Sequence, residues 1–308
     1  MRLIRGVTGP EGLSSGCAVT IGTYDGIHLG HQALLGRLKE HADRLRSAAV
    51  LLTFEPMPRE YLAPEAPPAR LTSLRERWRI LAQQGGPDWL WVLRFGEALR
   101  NLPAEGFAQL LARQLAPRVV VVGHDFRFAK HGEATAAVLA AAGRRLGFEV
   151  DVLEPIMLDG ERISSSGVRA ALAASDFARA RRWLGRPWSM RARVRGGERL
   201  GTDLGFPTAN LPLERRRAPV AGIFAVRVHG VADCALAGVA SLGTRPTVAG
   251  TQALLEAHVF DFAGDLYGRE IEVEFVAKLR DEARFADLGE LTAQMHRDAA
   301  EARRILNA

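Results

Sequence analysis

Two histidines three residues apart, His28 and His31, stand in the run Gly22-Thr23-Tyr24-Asp25-Gly26-Ile27-His28-Leu29-Gly30-His31. An imidazole can donate a hydrogen bond to a phosphate oxygen that gains charge during a reaction. The elements around the run must put the rings where such an oxygen sits. Before it lies Cys17-Ala18-Val19-Thr20-Ile21, an apolar stretch that predicts a buried strand. After it, Leu34, Leu38 and Leu45 keep the spacing of one helix face. The histidines therefore fall where a strand turns into a helix. Glycines let the backbone approach a ligand closely, and the first N–H groups of the helix face any anion there. Gly22, Asp25 and Gly26 are candidate binding residues beside the pair. A glycine-rich turn with incidental histidines is the alternative that the turn alone leaves open.

A second group lies in the other half of the chain. Arg195-Gly196-Gly197-Glu198-Arg199-Leu200-Gly201 precedes Leu204-Gly205-Phe206-Pro207-Thr208-Ala209-Asn210. Gly201 and Gly205 offer flexible backbone near phosphates, followed by a rigid proline, a hydroxyl and an amide. A threonine hydroxyl can ligate Mg²⁺, although the Gly-Lys-Ser/Thr of a P-loop is missing. A turn in which Thr208 and Asn210 satisfy local backbone groups is the alternative. In Leu254-Leu255-Glu256-Ala257-His258-Val259-Phe260, strand alternation puts Glu256 and His258 on one face and Leu255, Ala257 and Val259 on the other. A carboxylate facing a cleft can act as a general base. One on an open face is merely solvated, and periodicity does not choose between them.

Composition bounds the rest. A chain of 308 residues, 47% hydrophobic and 25% charged, reads as an ordinary globular protein with two domains. It has no apolar run of about 18 residues, and Met1–Gly6 lacks the apolar core of a signal peptide. Neither a membrane span nor export is expected, and the cytoplasm fits. Cys17 and Cys234 both lie in apolar, strand-like runs, so buried reduced thiols are expected rather than a disulfide or a metal site. The net charge of +6 is almost all arginine, the lysines being Lys39, Lys130 and Lys278. A basic patch at Arg215-Arg216-Arg217 is conceivable. A solvated loop is the expectation, with no nucleic-acid partner, because handling ATP suffices to explain the charge.

Apolar runs at Ala48–Phe54, Trp89–Phe95, Val119–Val122 and Glu149–Leu153 alternate with helical patterns such as Leu74/Trp78/Leu81 and Phe107/Leu110/Leu111/Leu115. That alternation predicts a doubly covered parallel sheet, an α/β fold of Rossmann-like type, with ligands at the carboxyl ends of its strands. Gly22–His31 and Gly123–Phe128 both follow strands and should face one cleft. A helix over Ser175–Leu184 ends at Gly185-Arg186-Pro187, which places a domain boundary between 185 and 186. Beyond it the period drops to two over Gly222–Val228, Asp233–Ala240, Ala253–Phe260 and Ile271–Phe275, which predicts an antiparallel β-barrel. A final helix carries Leu288, Leu291, Met295, Ala302 and Ile305 on one face, with Asp287 and Glu290 as a capping pair.

The His-x-Gly-His turn resembles the signature of the nucleotidyltransferase superfamily. Further stretches narrow the resemblance. Gly205–Asn210, Gly238–Thr247 and Asp261–Gly268 resemble the flavokinase domain of the bacterial bifunctional riboflavin kinase/FAD synthetase family, and Phe275, Leu279-Arg280 and Phe285 continue it. Gly22–His31, Leu52–Pro56, Gly123–Phe128 and Arg162–Ser166 match the same family in the same order, so the resemblance covers nearly the whole chain. This sequence departs from the family's usual residues at Thr23-Tyr24, where Asn-Phe is usual, and at Ala129, where Gly is usual, in a shortened loop. It also has Ser166 for Thr, Gly167 for a frequent Arg and Ser241 for a frequent Asn.

The resemblance implies adenylyl transfer by residues 1–185 and phosphorylation by residues 186–308. The barrel acts first: in its reaction the riboflavin 5′-hydroxyl attacks the γ-phosphate of ATP. Glu256 is implied as the base, with Thr208 and Asn210 holding Mg²⁺ and phosphate oxygens. In the second, the FMN phosphate attacks the α-phosphate of ATP and pyrophosphate leaves. His28 and His31 stabilise the charge that builds, Ser164, Ser165 and Ser166 bond phosphate oxygens, Arg169 offers a guanidinium fork, and Asp125 matches a nucleotide-contacting position. The expected partners are riboflavin, FMN and ATP, and a monomer is the expected state. A class I aminoacyl-tRNA synthetase would share the histidine turn but needs an anticodon-binding domain and a lysine-rich second motif. A single-activity adenylyltransferase leaves 186–308 without a task. A flavin- or RNA-binding regulator would have no use for His28, His31, Thr208 and Glu256.

Overall fold

A computed structural model describes residues 1–10, 13, 16–196, 205–213, 215, 217–247 and 250–307. Contacts divide the chain into two compact units, one of residues 1–68 and 77–164, the other of residues 69–76 and 165–308.

The first unit is built on strands β1 (Arg2–Arg5), β2 (Cys17–Ile21), β3 (Ala48–Glu55), β4 (Trp89–Arg94), β5 (Pro117–Gly123) and β8 (Glu149–Leu153). They form one sheet in the order β1-β4-β3-β2-β5-β8, parallel throughout. Helices α1 (Leu29–Leu45), α2 (Pro58–Leu62), α3 (Leu74–Gln83), α4 (Glu97–Arg100), α5 (Ala104–Leu115) and α6 (Ala136–Leu146) fall between the strands, α3 starting in the segment that belongs to the second unit. Two hairpins, β6 (Arg127–Phe128) with β7 (Ala134–Thr135) and β9 (Met157–Leu158) with β10 (Glu161–Arg162), decorate the sheet. Strands covered on both faces must be apolar at every position. Accordingly β2 is buried at all of its residues, and Val120 and Val122 pack with α5 and α6 while Val119 and Val121 pack with α1. The order changes direction at β2, whose neighbours are β3 and β5. The carboxyl end of β2, where the histidine turn begins, is thus the switch point at which such sheets bind ligands.

The second unit contains α7 (Ser165–Ala173), α8 (Phe177–Leu184), strands β11 (Ser189–Arg193), β12 (Ala209–Pro212), β13 (Gly222–His229), β14 (Leu236–Thr247), β15 (Gly250–Val259) and β16 (Glu270–Arg280), and a terminal helix α9 (Leu288–Leu306). The six strands are antiparallel in the order β11-β16-β13-β14-β15-β12, and a bridge between Arg195 and Asn210 all but closes the barrel. Alternation sends Phe224, Val226, Val228, Ile271, Val273 and Phe275 inward. Phe177 of α8 and Trp188 join the rings of Phe224 and Phe275. Ala302 and Leu306 of α9 pack on Ala225 and Phe260.

The segment 69–76 belongs to this second unit because of Glu76. Its carboxylate accepts from Ser73 N (2.6 Å), while Ser73 Oγ accepts from Glu76 N (3.2 Å), a reciprocal cap that starts α3. The same carboxylate accepts from Arg191 N (2.9 Å) and from the buried Arg215 guanidinium, which also donates to the carbonyls of Arg70 and Leu71. This corrects the solvated loop expected at Arg215-Arg216-Arg217. Arg215 is 5% exposed and its charge is spent inside the unit, Arg217 is exposed, and Arg216 lies outside the described residues.

Other expectations are also revised. Cys17 is buried and donates to Leu115 O (3.2 Å), but Cys234 is exposed, because the strand predicted over Asp233–Ala240 starts only at Leu236. Leu288, placed on the apolar face of the last helix, is 57% exposed at its first turn. Asp287 does cap that helix, accepting from Glu290 N (2.8 Å), but Glu290 reaches back to Ala286 N (3.1 Å). Among the described residues, no helix is long and apolar enough to cross a membrane. Burial pushes the Cys17 thiol up to about 12. In a thiol titration of the native protein near pH 8, Cys234 should therefore react at once and Cys17 only after denaturant is added; two fast thiols would contradict this packing.

Candidate active sites

The turn between β2 and α1 is a backbone that ordinary residues resist. Tyr24 (φ +51°), Gly26 (φ +86°) and Ile27 (φ +43°) all adopt left-handed conformations. For residues other than glycine this costs on the order of 1 kcal/mol or more each. Side chains packed beneath the turn offset the cost. Tyr24 is buried, and its ring lies so close that a Cβ on Gly22 would meet it at 3.0 Å. Thr20 Oγ1 donates to Val121 O (2.9 Å), so the Tyr24 hydroxyl donates to Thr20 Oγ1 (2.6 Å). The phenol, usual as Phe in the resembled family, is thus satisfied by a threonine four residues earlier, and burial holds it above its ordinary range as a neutral donor. Below, the buried Arg77 guanidinium donates to Thr23 O (2.6 Å), Thr53 Oγ1 (3.2 Å) and Glu55 Oε2 (2.8 Å). Arg77 and Thr20 went unremarked in the sequence; the only signal was a basic residue in a helix whose neighbours are largely buried.

His28 is the N-cap of α1. Its Nδ1 accepts from His31 N (3.3 Å), so in that bond the proton of a neutral ring lies on Nε2. The two imidazoles stack at 3.7 Å between centroids with 17° between planes, and Tyr24 lies 4.8 Å from His31. Gly30 makes room for this: a Cβ there would sit 3.2 Å from the His28 ring and 3.7 Å from Ile163 O. Ser164, the residue after Ile163, therefore follows a backbone that passes beside the start of α1. Ser165 and Ser166 form the first turn of α7. Asp25 is 1% exposed.

The remaining candidates of this half are more spread out. Asp125 lies just past β5, exposed, in an ion pair with Arg162. Arg169 donates through Nε to Ala69 O (2.6 Å), so part of its fork holds backbone. One departure acquires a physical reason and another a physical cost. A Cβ on Gly167 would lie 2.0 Å from the Trp183 ring, so no side chain fits there while that indole covers the helix. Ala129 has φ +66° and ψ −174°, a region that glycine alone enters freely.

In the barrel, β12 and β15 pair in a register that matches Asn210 with Glu256 and Ala209 with Ala257. Ala209, Leu211, Leu255 and Ala257 face the core, so Asn210 and Glu256 share the opposite face as direct cross-strand neighbours. Thr208 follows one residue outward, half-buried, and also lines a cavity of about 110 Å³ with Ala257, Val259, Asp265 and Tyr267. Gly205 turns the chain ahead of it (φ +83°), and Gly201 lies outside the described residues. Strand register thus brings an amide and a carboxylate together from segments some 50 residues apart.

Two family models match the chain. The FAD synthetase family model matches residues 11–167 and the riboflavin kinase model residues 184–306. The bifunctional riboflavin kinase/FMN adenylyltransferase of Escherichia coli (strain K12) is 44% identical over 305 residues, covering 98% of this chain and 97% of the relative. That of Haemophilus influenzae is 39% identical over 309 residues, covering 100% of both. A solved chain described as a macrolide-efflux protein from Streptococcus pneumoniae superposes with a TM-score of 0.78 at 28% identity, covering 96% of this chain and 97% of its own.

Relieving the strain at Ala129 should stabilise the fold. Ala129→Gly should raise the unfolding free energy by about 1 kcal/mol, net of glycine's greater unfolded-state entropy. Urea denaturation checks this, and a loss of stability would mean that the loop has another conformation.

Proposed function

Because the chain belongs to the bifunctional riboflavin kinase/FMN adenylyltransferase family, which phosphorylates riboflavin to FMN and adenylylates FMN to FAD, we propose a residue-level division of the two reactions. Residues 186–308 carry the kinase reaction and residues 1–185 the adenylyl transfer. The cross-strand pairing of Asn210 with Glu256 beside Thr208 supports the first assignment most directly.

In the kinase reaction the 5′-hydroxyl oxygen of riboflavin forms a bond to the γ-phosphorus of ATP, and the bond to the β,γ-bridging oxygen breaks to release ADP. Glu256 accepts the hydroxyl proton or orients that hydroxyl. Thr208 and Asn210 present hard oxygen donors next to a carboxylate, a set that suits Mg²⁺ shared with nucleotide phosphates. Among the described residues, no group of three or more His, Cys, Asp or Glu could hold a metal ion alone. When bound there, Mg²⁺ neutralises phosphate charge. The side chains' own task is to hold ATP and the flavin hydroxyl in line.

In adenylyl transfer an FMN phosphate oxygen bonds to the α-phosphorus of ATP and pyrophosphate departs. The nucleophile is already anionic near neutral pH, so no protein nucleophile is needed. The protein must stabilise negative charge building on the phosphates. His28 and His31 serve this at the head of α1, where the positive end of the helix dipole adds to them. Ser164, Ser165 and Ser166 bond phosphate oxygens, while Gly22, Asp25 and Gly26 shape the turn. Asp125, through its pair with Arg162, stands at the strand end on the nucleotide side. Arg169 is given a smaller part, since its Nε already holds Ala69 O.

The test supplies each substrate in turn. His28→Ala and His31→Ala should lower FAD formation from FMN by roughly 10²–10³-fold while FMN formation from riboflavin persists. Glu256→Gln should do the reverse. Flavins separated by chromatography over time should show FMN before FAD in the parent enzyme. Loss of both activities in either variant, with folded protein by circular dichroism, would end the two-site assignment.

A further inference from the structure

The β12–β15 ladder stops just where the proposed kinase site needs its residues fixed. Its last pair is Ala209 with Ala257. Continued outward, it would match Thr208 with His258 and Pro207 with Val259. Pro207 has no N–H, so the ladder cannot run through it. Thr208 would then be anchored only on its C-terminal side, yet it precedes the paired Asn210 by two residues. A hydroxyl that must bind an anion or a cation in one place gains from support on both sides.

The structure supplies that support from a side chain. His258 stands two residues from Glu256 on β15, and alternation puts both on the same face. Its Nδ1 lies 2.8 Å from Pro207 O. A carbonyl only accepts, so Nδ1 carries the proton and donates. The ring also meets Phe206 edge-to-face at 5.1 Å and Phe260 at 5.7 Å. Phe206 is buried, with His296 of α9 on it at 4.9 Å. The residues before Thr208 are therefore fixed twice, by a phenyl ring between two imidazoles and by one hydrogen bond to the carbonyl of Pro207.

We propose that His258 is a positioning residue of the kinase reaction: its Nδ1–H takes over from the ladder at Pro207 and sets Thr208 beside Asn210 and Glu256. The proposal rests on the reading of Thr208 as a nucleotide and Mg²⁺ residue. His258 itself touches neither the flavin hydroxyl nor the γ-phosphate in this scheme. Its removal should weaken nucleotide binding and leave the turnover of bound substrate nearly intact.

Three substitutions separate the donor from the ring. Asn in place of His carries its amide nitrogen at the position of Nδ1, Gln carries it at the position of Nε2, and Phe keeps a ring with no donor. The readouts are ADP affinity in the presence of Mg²⁺ by isothermal titration calorimetry, and KM for ATP against kcat in FMN formation. FAD formation from supplied FMN serves as the control in the same chain. One neutral hydrogen bond corresponds to about a fivefold to tenfold change. H258F and H258Q should weaken Mg²⁺-dependent ADP binding and raise the ATP KM by that factor, with kcat within about twofold and FAD formation unchanged. H258N should bind ADP like the parent.

Parent-like binding by H258F and H258Q, alongside weakened binding by Thr208→Ala, would overturn the role of His258 and leave the reading of Thr208 standing. Equal losses in all three His258 variants would overturn it as well, because the ring and not the Nδ1 donor would then matter. Parent-like binding by Thr208→Ala would reject the premise about Thr208, and the proposal with it.

Discussion

A buried guanidinium underlies the histidine turn. Arg77 bonds the carbonyl of Thr23, the hydroxyl of Thr53 and the carboxylate of Glu55, joining the ends of β2 and β3 from within. A buried charge is tolerated only when its donors are met, and removing one partner of such a group is far more damaging than never having built it. The turn above it needs that rigidity, since Tyr24 and Ile27 sit in left-handed backbone. Their conformation aims His28 at the first turn of α1 and lets it cap the helix with a ring nitrogen. The geometry of the turn is therefore a product of what lies under it. The ligand side supplies imidazoles, and the core side supplies the constraint.

The second unit solves a comparable problem with different means. In the barrel, strand register places the polar residues. Asn210 and Glu256 meet because β12 and β15 pair with those residues opposite each other; a slip of one residue would turn one of them into the core. The segment 69–76 is built into this unit by Glu76, which caps the start of α3 while accepting from Arg191 and Arg215. Glu76 and Arg77, consecutive in sequence, thus carry the main polar anchors of two different units. The chain passes from one unit to the other within a single helix turn, with a carboxylate on one side and a guanidinium on the next.

The departures from the family's usual residues show how a core absorbs change. Tyr24 brings a hydroxyl into a buried position, and Thr20 meets it, passing its own proton to Val121 O. Gly167 removes a side chain from α7, and the Trp183 ring occupies the space. In both cases the exchange is local and its partner lies on the neighbouring turn or element. Ala129 shows no such partner, and its left-handed backbone carries the strain directly.

The sequence by itself determined the elements and their chemistry. Strands β3, β4, β5 and β8 appeared within two residues of their observed ends; for the first three the reason is that a strand buried on both faces must be continuously apolar, while the edge strand β8 shows alternation instead. The histidine turn, the Asp287 cap and the change of period after Gly185 were legible for the same reason: each depends on residues near one another in the chain. What tertiary structure decided was every pairing across long separations. Arg215 reads as one of three surface arginines until Glu76 is folded against it. Cys234 reads as a core thiol until β14 starts two residues later. Glu256 has no visible neighbour in the sequence until register sets Asn210 beside it. Local propensity and periodicity are written in neighbouring residues, whereas register, burial of a charge and the partner of a side chain are properties of the packed chain, fixed only when distant segments compete for the same core.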